Sequence, residues 1–476
     1  MANSLGRIDH VVVLMLENRS FDHMLGFTKP AGMPVDGLSG DESNPDAELP
    51  PGRVFVTNDA DYLDDLAFDA AHGIEDVALQ LYGSRASSFD SDDGRNDGFV
   101  VDYGSLPLVD AKQARRVMAC FAPARLPVLT RLAREFAVCD RWHASVPSST
   151  WPNRLFVHAA TSYGEATNAL REYPMKTIYD SLDEAACSWN VYFHDVPVCL
   201  LLERLRSERG KSRLHRFEQF KEDAATGKLP SYSFIEPRYL NFLWWRANDQ
   251  HPNHDVRLGE LLIADVYEAL RASPAWERTL LVVVYDEHGG TYDHVFPPTA
   301  VSPDGRAYVG PDFAFGFNRL GVRVPAVLVS PWIAAGTVDH TLYDHTSILA
   351  TVRERFGLAS PLTARDAAAA SFGANLSLDA PRKDTPTKLE RPSVVATWLR
   401  ELEREMSPEH IALAIEGGAS SLMRLTGHQQ GLVDLVNSLD LAETPEERAT
   451  AQAHPCAHEH AAASHVRDRM AKYLGR

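Results

Sequence analysis

Two adjacent carboxylates, Asp286 and Glu287, stand where an apolar run gives way to glycines in "LVVVYDEHGGTYDHV" (281–295). A second apolar run, "HVVVLML" (10–16), ends in the same kind of hard-oxygen group, Glu17 and Asn18, at the start of "ENRSFDHM". A third stretch, "VPSSTWPNR" (146–154), offers hydroxyls in a turn pinned by Pro147 and Pro152, and a fourth, "NDQHPNHDV" (248–256), offers imidazoles. Carboxylate and amide oxygens gathered at strand ends suit Mg2+, Ca2+ or Mn2+, and Zn2+ also accepts carboxylates. A hydroxyl from "SST" brought to such an ion would lose its proton more readily, giving an activated nucleophile beside a Lewis acid. Each stretch also has a plainer reading. An isolated "DE" is an ordinary strand end, Asn18 can be a helix N-cap as Ser20 or Asp22 can, and "SST" can be a polar cap.

Such chemistry needs rigid elements to hold it. The runs 10–16, 279–285 and 324–333 are continuous and rich in Val, Ile and Leu, as expected of strands buried on both faces of a mostly parallel sheet. Between them, 126–136, 176–186 and 257–273 have helical character. The alternation predicts an α/β fold with functional groups at the carboxyl ends of the strands, which puts Glu17 and Asp286 at one edge. From about residue 361 the character changes through the polar, proline-containing "SLDAPRKDTPTKLERP" (377–392). Residues 361–476 are expected to form a mainly helical extension packed on a core domain of residues 1–360. "TPEE" (444–447) has the form of a capping box opening a last helix.

The bulk properties exclude several classes. With 45% hydrophobic and 24% charged residues the composition is that of a folded, water-soluble protein. The 65 acidic against 47 basic residues give a net charge of −18, and no basic cluster offsets it, so a nucleic-acid partner is not expected. Five cysteines, Cys120, Cys139, Cys187, Cys199 and Cys456, form no CxxC pair and suggest buried thiols of a reducing compartment. The N-terminal apolar run stops at Glu17, too soon for a signal peptide, and no stretch is long enough to span a membrane. A cytoplasmic location follows as the expectation, with export by another route left open. "HPCAHEHAAASH" (454–465) is expected to be a solvated helix rather than a metal trap, because Pro455 interrupts the ligand spacing.

"IDHVVVLMLENRSFDHMLGF", "PVLTRLAREFAVCDRWHASVPSSTWPNRLF", "NDQHPNHDVRLGE", "VVVYDEHGGTYDHV" and "LGVRVPAVLVSPWI" followed by "YDHTSILATV" resemble, in order and spacing, the bacterial phosphoesterase family of non-toxin phospholipases C and related acid phosphatases. The resemblance spans about residues 7 to 370 and implies an alkaline-phosphatase-like three-layer sandwich. It further implies a metal site of Glu17, Asn18, Asp286 and Glu287 completed by Thr150, with one divalent ion (Ca, Mg, Mn or Zn). Thr150 is then the nucleophile rather than Ser148 or Ser149, and it passes through a covalent phosphothreonine. His72 in "FDAAHGIEDV" and His251 in "QHP" become candidate proton donors or phosphate contacts, and His194 in "YFHD" a weaker substrate-pocket match. His288, His294 and His345 are expected to brace the loops.

The implied reaction is hydrolysis of a phosphodiester on the headgroup side of a phospholipid. Asn18 is also expected to bind substrate, and Trp244 and Trp245, preceded by Phe242, could hold a choline-like headgroup by cation–π attraction or simply pack in the core. The alternatives are a phosphomonoesterase with the same nucleophile and an inactive lipid-binding or interaction protein. A sulfatase is disfavoured, since "CFAPAR" (120–125) places Arg125 one residue too far from Cys120. Whether the extension makes a homo-oligomer or a lid is left open.

Overall fold

The computed structural model describes residues 4–46, 52–63, 66, 68–241, 246–394, 425–439, 441 and 459–475. An eight-stranded sheet runs through the centre. In chain order its strands are β1 (His10–Leu16), β2 (Ala137–Cys139), β3 (Trp189–Phe193), β4 (Leu214–Arg216), β5 (Tyr232–Glu236), β6 (Thr279–Tyr285), β7 (Ala326–Val329) and β8 (Thr337–Asp339). Their order across the sheet is β8-β2-β7-β6-β1-β5-β3-β4, and only β7 is antiparallel to its neighbours. Every residue of β6, and all of β1 after His10, is buried, which is why both read as unbroken apolar runs rather than as alternating ones.

Helices cover both faces and make the predicted three-layer sandwich. They include α1 (Phe21–Leu25), α2 (Ile74–Tyr82), α3 (Pro127–Glu135), α4 (Thr150–Ala159), α5 (Val256–Ala272), α6 (Thr346–Phe356), α7 (Gly427–Ser438) and α8 (Glu459–Leu474). The helix expected at 176–186 spans Ile178–Glu184. α3 has no side-chain cap of its own, because its N-cap residue, Leu126, carries no acceptor. Its orphan donors are met from a neighbouring helix: Val128 N–H and Leu129 N–H give hydrogen bonds of 2.7 and 3.0 Å to the buried Glu260 carboxylate on α5. That contact joins α3 to α5 at a point where a helix dipole favours negative charge.

The region beyond 361 carries α7 and α8, which pack on each other. α8 is not a solvated helix: Ala462, Val466 and Met470 are buried along one side of it. The "TPEE" start and Cys456 lie outside the described residues, as do Phe242, Trp244 and Trp245. Cys120, Cys139 and Cys199 are buried and Cys187 is half-buried, and none of these four is in a disulfide. Among the described residues no helix is long and apolar enough to cross a membrane.

Candidate active site

Parallel pairing of β1 with β6 sets Leu16 opposite Tyr285, so Glu17 and Asp286 leave the sheet side by side. Backbone ties then fix the two loops. Glu17 N–H donates to Asp249 O at 2.9 Å, Asp286 N–H to Leu16 O at 3.1 Å, and Asn18 N–H to Asp286 Oδ1 at 3.0 Å. Asn18 sits at φ 55, the left-handed region that asparagine tolerates better than most residues. It is not the cap of α1. That service comes from Ser20, whose Oγ accepts from His23 N–H at 3.1 Å. Gly289, at φ 59, lies against the same loop, and a Cβ there would come within 2.3 Å of Asn18 O. Gly289→Ala is therefore expected to displace Asn18 and cost on the order of 1–3 kcal/mol, with activity falling further than the melting temperature alone explains. Wild-type activity in a Gly289→Ala protein would show that the approach of these two loops is dispensable.

The turn before α4 is folded by Asn153. Its Nδ2 donates to the carbonyls of Val146, Ser148 and Ser149 at 3.0–3.1 Å, and its Oδ1 accepts from Val146 N–H at 2.9 Å. This separates the three hydroxyls of "SST". Ser148 donates to Ala166 O, and Ser149 Oγ lies 3.5 Å from His72 O. Thr150, the first residue of α4, alone faces the acidic loops, with Oγ1 at 3.4 Å from Glu17 Oε2 and 3.3 Å from Asn18 Oδ1.

One helical turn on, Arg154 shares the face of Thr150 and is fully buried. Its guanidinium donates to Glu17 Oε1 (2.9 Å), Asp286 Oδ2 (3.1 Å) and Glu236 Oε2 (2.8 Å), and Glu236 also accepts from the Tyr239 hydroxyl. One cation thus serves three buried carboxylates, with Glu287 as a fourth nearby. Burial and the neighbouring Asp286 push Glu17 well above the usual carboxylate range, against the pull of Arg154. Burial raises Asp286 to about 6, opposed by Arg154 and reinforced by Glu287. Burial works against ionisation of Glu287 too, but His72 and His288 outweigh it and draw that carboxyl down.

His72 and His251 converge on this place, their rings 6.4 Å apart. His72 Nε2 lies 3.7 Å from Glu287 Oε1 and 3.5 Å from Asn18 Nδ2, while its Nδ1 donates to Ala70 O at 2.6 Å. Burial depresses His72, but Glu287 and Asp69 prevail and hold it at about 9. Burial takes His251 the other way, to about 4. One ring is thus charged and its neighbour neutral near neutrality, the kind of separation that acid–base chemistry uses. His194 is elsewhere: its ring stacks on Phe217 and its Nδ1 bonds Glu236 O at 3.0 Å, behind the acidic cluster. His345 Nε2 donates to Asp286 O at 2.6 Å, and His288 Nε2 meets Gln80 Oε1 at 2.7 Å, so both brace the loop. His294 belongs to a separate cluster with Asp22.

A divalent ion fits the first cluster better than the second. Glu17 Oε2 is the oxygen Arg154 does not use, and Glu287 Oε1 is buried without a hydrogen-bond partner among the described residues. Buried carboxylates there outnumber the buried guanidinium. The ligand atoms of Asp22, Asp293 and His294 converge more tightly, within 4.8 Å of one another. That grouping is already neutralised, however, since the buried Arg323 donates to Asp293 Oδ1 at 2.9 Å and to Asp22 Oδ1 at 3.1 Å. It is an ion-pair cluster rather than a metal site.

Sequence reasoning named Arg154 and Asp249 only inside motifs and missed Glu236. The four-residue step from Thr150 to Arg154 was a usable signal, since it puts both on one helix face. Glu236 carries no such signal, because it enters from the end of a different strand.

A parallel-sheet hydrolase site with a hydroxyl held among buried acids is the class this geometry defines. The family model described as the phosphoesterase family matches residues 8–359, and the chain belongs to that family. It is accordingly a hydrolase of phosphoester bonds. It is 44% identical over 402 residues to non-specific phospholipase C1 of Arabidopsis thaliana, covering 81% of this chain and 74% of the relative. It is 28% identical over 450 residues to phospholipase C B of Mycobacterium tuberculosis, covering 82% of this chain and 81% of the relative. The family therefore extends beyond the bacteria in which the sequence placed it. A solved protein of the alkaline phosphatase superfamily from Vibrio parahaemolyticus is similar at 13% identity and a TM-score of 0.33, over 51% of this chain and 63% of that one.

Proposed function

We propose that the chain is a metal-dependent phospholipase C, cleaving a phospholipid phosphodiester on the headgroup side with Thr150 as nucleophile. The observation that carries the reading is the placement of Thr150 Oγ1 between Glu17 Oε2 and Asn18 Oδ1 at the first residue of a helix. The names of the plant and mycobacterial relatives support the substrate class.

In the first step Thr150 reacts as the ionised hydroxyl: its Oγ bonds to phosphorus and the P–O bond to the diacylglycerol-like alcohol breaks. That alcohol leaves with a proton from a histidine, for which His72 is the charged candidate. In the second step water attacks phosphorus, the P–Oγ bond breaks with Oγ returning to its ionised form, and the phosphorylated headgroup departs. Water's proton passes to a neutral imidazole, either the now-neutral His72 or His251 beside it, and its return to His72 restores the starting state. A divalent cation held by Glu17, Asn18, Asp286, Glu287 and Thr150 would favour the ionised hydroxyl and offset charge on the phosphoryl oxygens.

The test compares a chromogenic phosphodiester with the matching monoester, before and after chelation. Preferential diester turnover that a chelator removes, and that one of Mg2+, Ca2+, Mn2+ or Zn2+ restores, is the expected result. Monoester preference would make the protein a phosphatase with the same nucleophile. Undiminished turnover after exhaustive chelation would remove the metal from the mechanism.

A further inference from the structure

Helix α7 opens on Thr426, whose hydroxyl accepts from Gln429 N–H at 3.1 Å, and this turns His428 and Gln429 toward the core. Gln429 Nε2 donates to Tyr239 O at 3.1 Å and to Glu459 Oε1 at 2.8 Å. Glu459, at the start of α8, accepts from Asn241 N–H at 2.7 Å and lies 3.3 Å from His254 Nε2. His254 in turn meets Asp249, the residue whose carbonyl holds Glu17 N–H. The extension is therefore wired to the loops of the site, and His428 is clamped between Trp151 and Tyr239, whose ring lies 5.0 Å away.

The tautomer of His428 follows from its partner. An indole N–H can only donate, so the His428 Nδ1 that receives it from Trp151 at 3.1 Å carries no proton. The ring's proton is then on Nε2. That atom is buried and has no hydrogen-bond partner among the described residues. Burial, with Arg154 and three other histidines adding to it, keeps the ring neutral by pushing its pKa well down. His251 presents the complementary arrangement: its Nδ1 meets Asn253 Oδ1 at 2.5 Å, and its buried Nε2 lies 3.4 Å from Asp69 Oδ1 without a hydrogen bond among the described residues. Buried polar atoms are rarely left unpaired, and His428 lies close enough to Arg154, His251 and His72 to interact with their charges, so a missing ligand is the economical explanation. Glu287 Oε1 and Glu236 Oε1 are further such atoms here.

We propose that His428 is a substrate-contacting residue, its Nε2–H donating a hydrogen bond to an oxygen of the bound phosphoester. The proposal rests on the phosphoester reading of the site. It also means that a residue of the extension, outside the stretch matched by the family model, completes the site formed by the core.

Two substitutions divide the ring's functions. The Oδ1 of His428→Asn can take the place of Nδ1 as acceptor for Trp151 but leaves no donor at the Nε2 position. The Nε2 of His428→Gln can take the place of the imidazole Nε2–H but loses the tie to Trp151. Substrate contact predicts that Asn lowers kcat/KM by roughly 10- to 100-fold, the range for a hydrogen bond to a charged group, while Gln retains most activity. Equal losses, no losses, or the reverse order would overturn the proposal and make His428 a positioning residue for Trp151 or a bystander. If either variant fails to fold, wild-type protein carrying 15N-histidine can be titrated with inorganic phosphate. A downfield shift of an imidazole Nε2–H signal from a ring with unprotonated Nδ1 is expected, and an unmoved signal would overturn the contact. Because the comparison is between variants on whichever ester the wild type turns over, it fails independently of the diester preference.

Discussion

Thr150→Ala is expected to lower turnover by roughly four to six orders of magnitude while leaving the melting temperature almost unchanged, the behaviour of an enzyme that loses its nucleophile. The structural half of that expectation rests on what the hydroxyl does not do. Its neighbours at 3.3 and 3.4 Å are long for hydrogen bonds between oxygens, and the N-cap position of α4 belongs to Ser149. Removing Oγ1 therefore leaves the helix start and the Asn153 turn intact. Thr150→Ser keeps an attacking oxygen and should recover much of the activity. Rapid quenching of the wild type with a diester, followed by mass spectrometry, should place a phosphoryl adduct on the peptide containing Thr150. Substantial turnover by Thr150→Ala would shift the nucleophile to water or to another group.

Arg154→Met should have the largest effect on stability of any single change in the site. The methionine fills similar space but leaves Glu17, Asp286 and Glu236 buried without their shared cation. Breaking one buried ion pair typically costs about 3–5 kcal/mol, a large part of the 5–15 kcal/mol that ordinarily holds a domain together. The protein is expected to express poorly or to unfold at much lower denaturant, and to lose activity even where it folds. Arg154→Lys should fall between, because an ammonium cannot reproduce a planar fork that reaches three carboxylates at once. Equilibrium unfolding of the three proteins in one denaturant series measures this directly. Near-native stability for Arg154→Met would mean that the carboxylates find other compensation, such as a bound cation.

How much of this was legible in the sequence depends on burial and on distance along the chain. Strands β1 and β6 are written as continuous apolar runs because neither face meets water. β5 ("YSFIE") lies beside β1 and β3 ("WNVYF") beside β5, yet their mixed aromatic and polar composition gave no comparable run. β2, β4 and β8 are three residues long and leave no period to detect. In the site, acids placed where strands should end were visible as an anomaly, so Glu17, Asn18, Asp286 and Glu287 could be named together. Choosing Thr150 over Ser148 and Ser149 needed the family resemblance, and the structure supplies the local cause in Asn153, which folds the turn and leaves only Thr150 facing the acids. His194 matched a pattern but ends behind Glu236, packed on Phe217. Glu236 and His428 had no local signature at all, since their neighbours on the chain play no part in what they touch.

The position of β1 in the sheet has a consequence for how the molecule comes into being. The first strand synthesised lies at the centre, between β5 and β6, whose residues follow more than two hundred positions later. Contacts of such sequence separation form late and close large loops. On the ribosome, Thr150 and Arg154 emerge well before Asp286, and His428 later still. A growing chain therefore carries Thr150 through the synthesis of more than one hundred further residues before Asp286, Glu287 and the β1–β6 pairing are available. The order of the sheet acts as a timer, delaying assembly of the acidic cluster until β6 has been delivered.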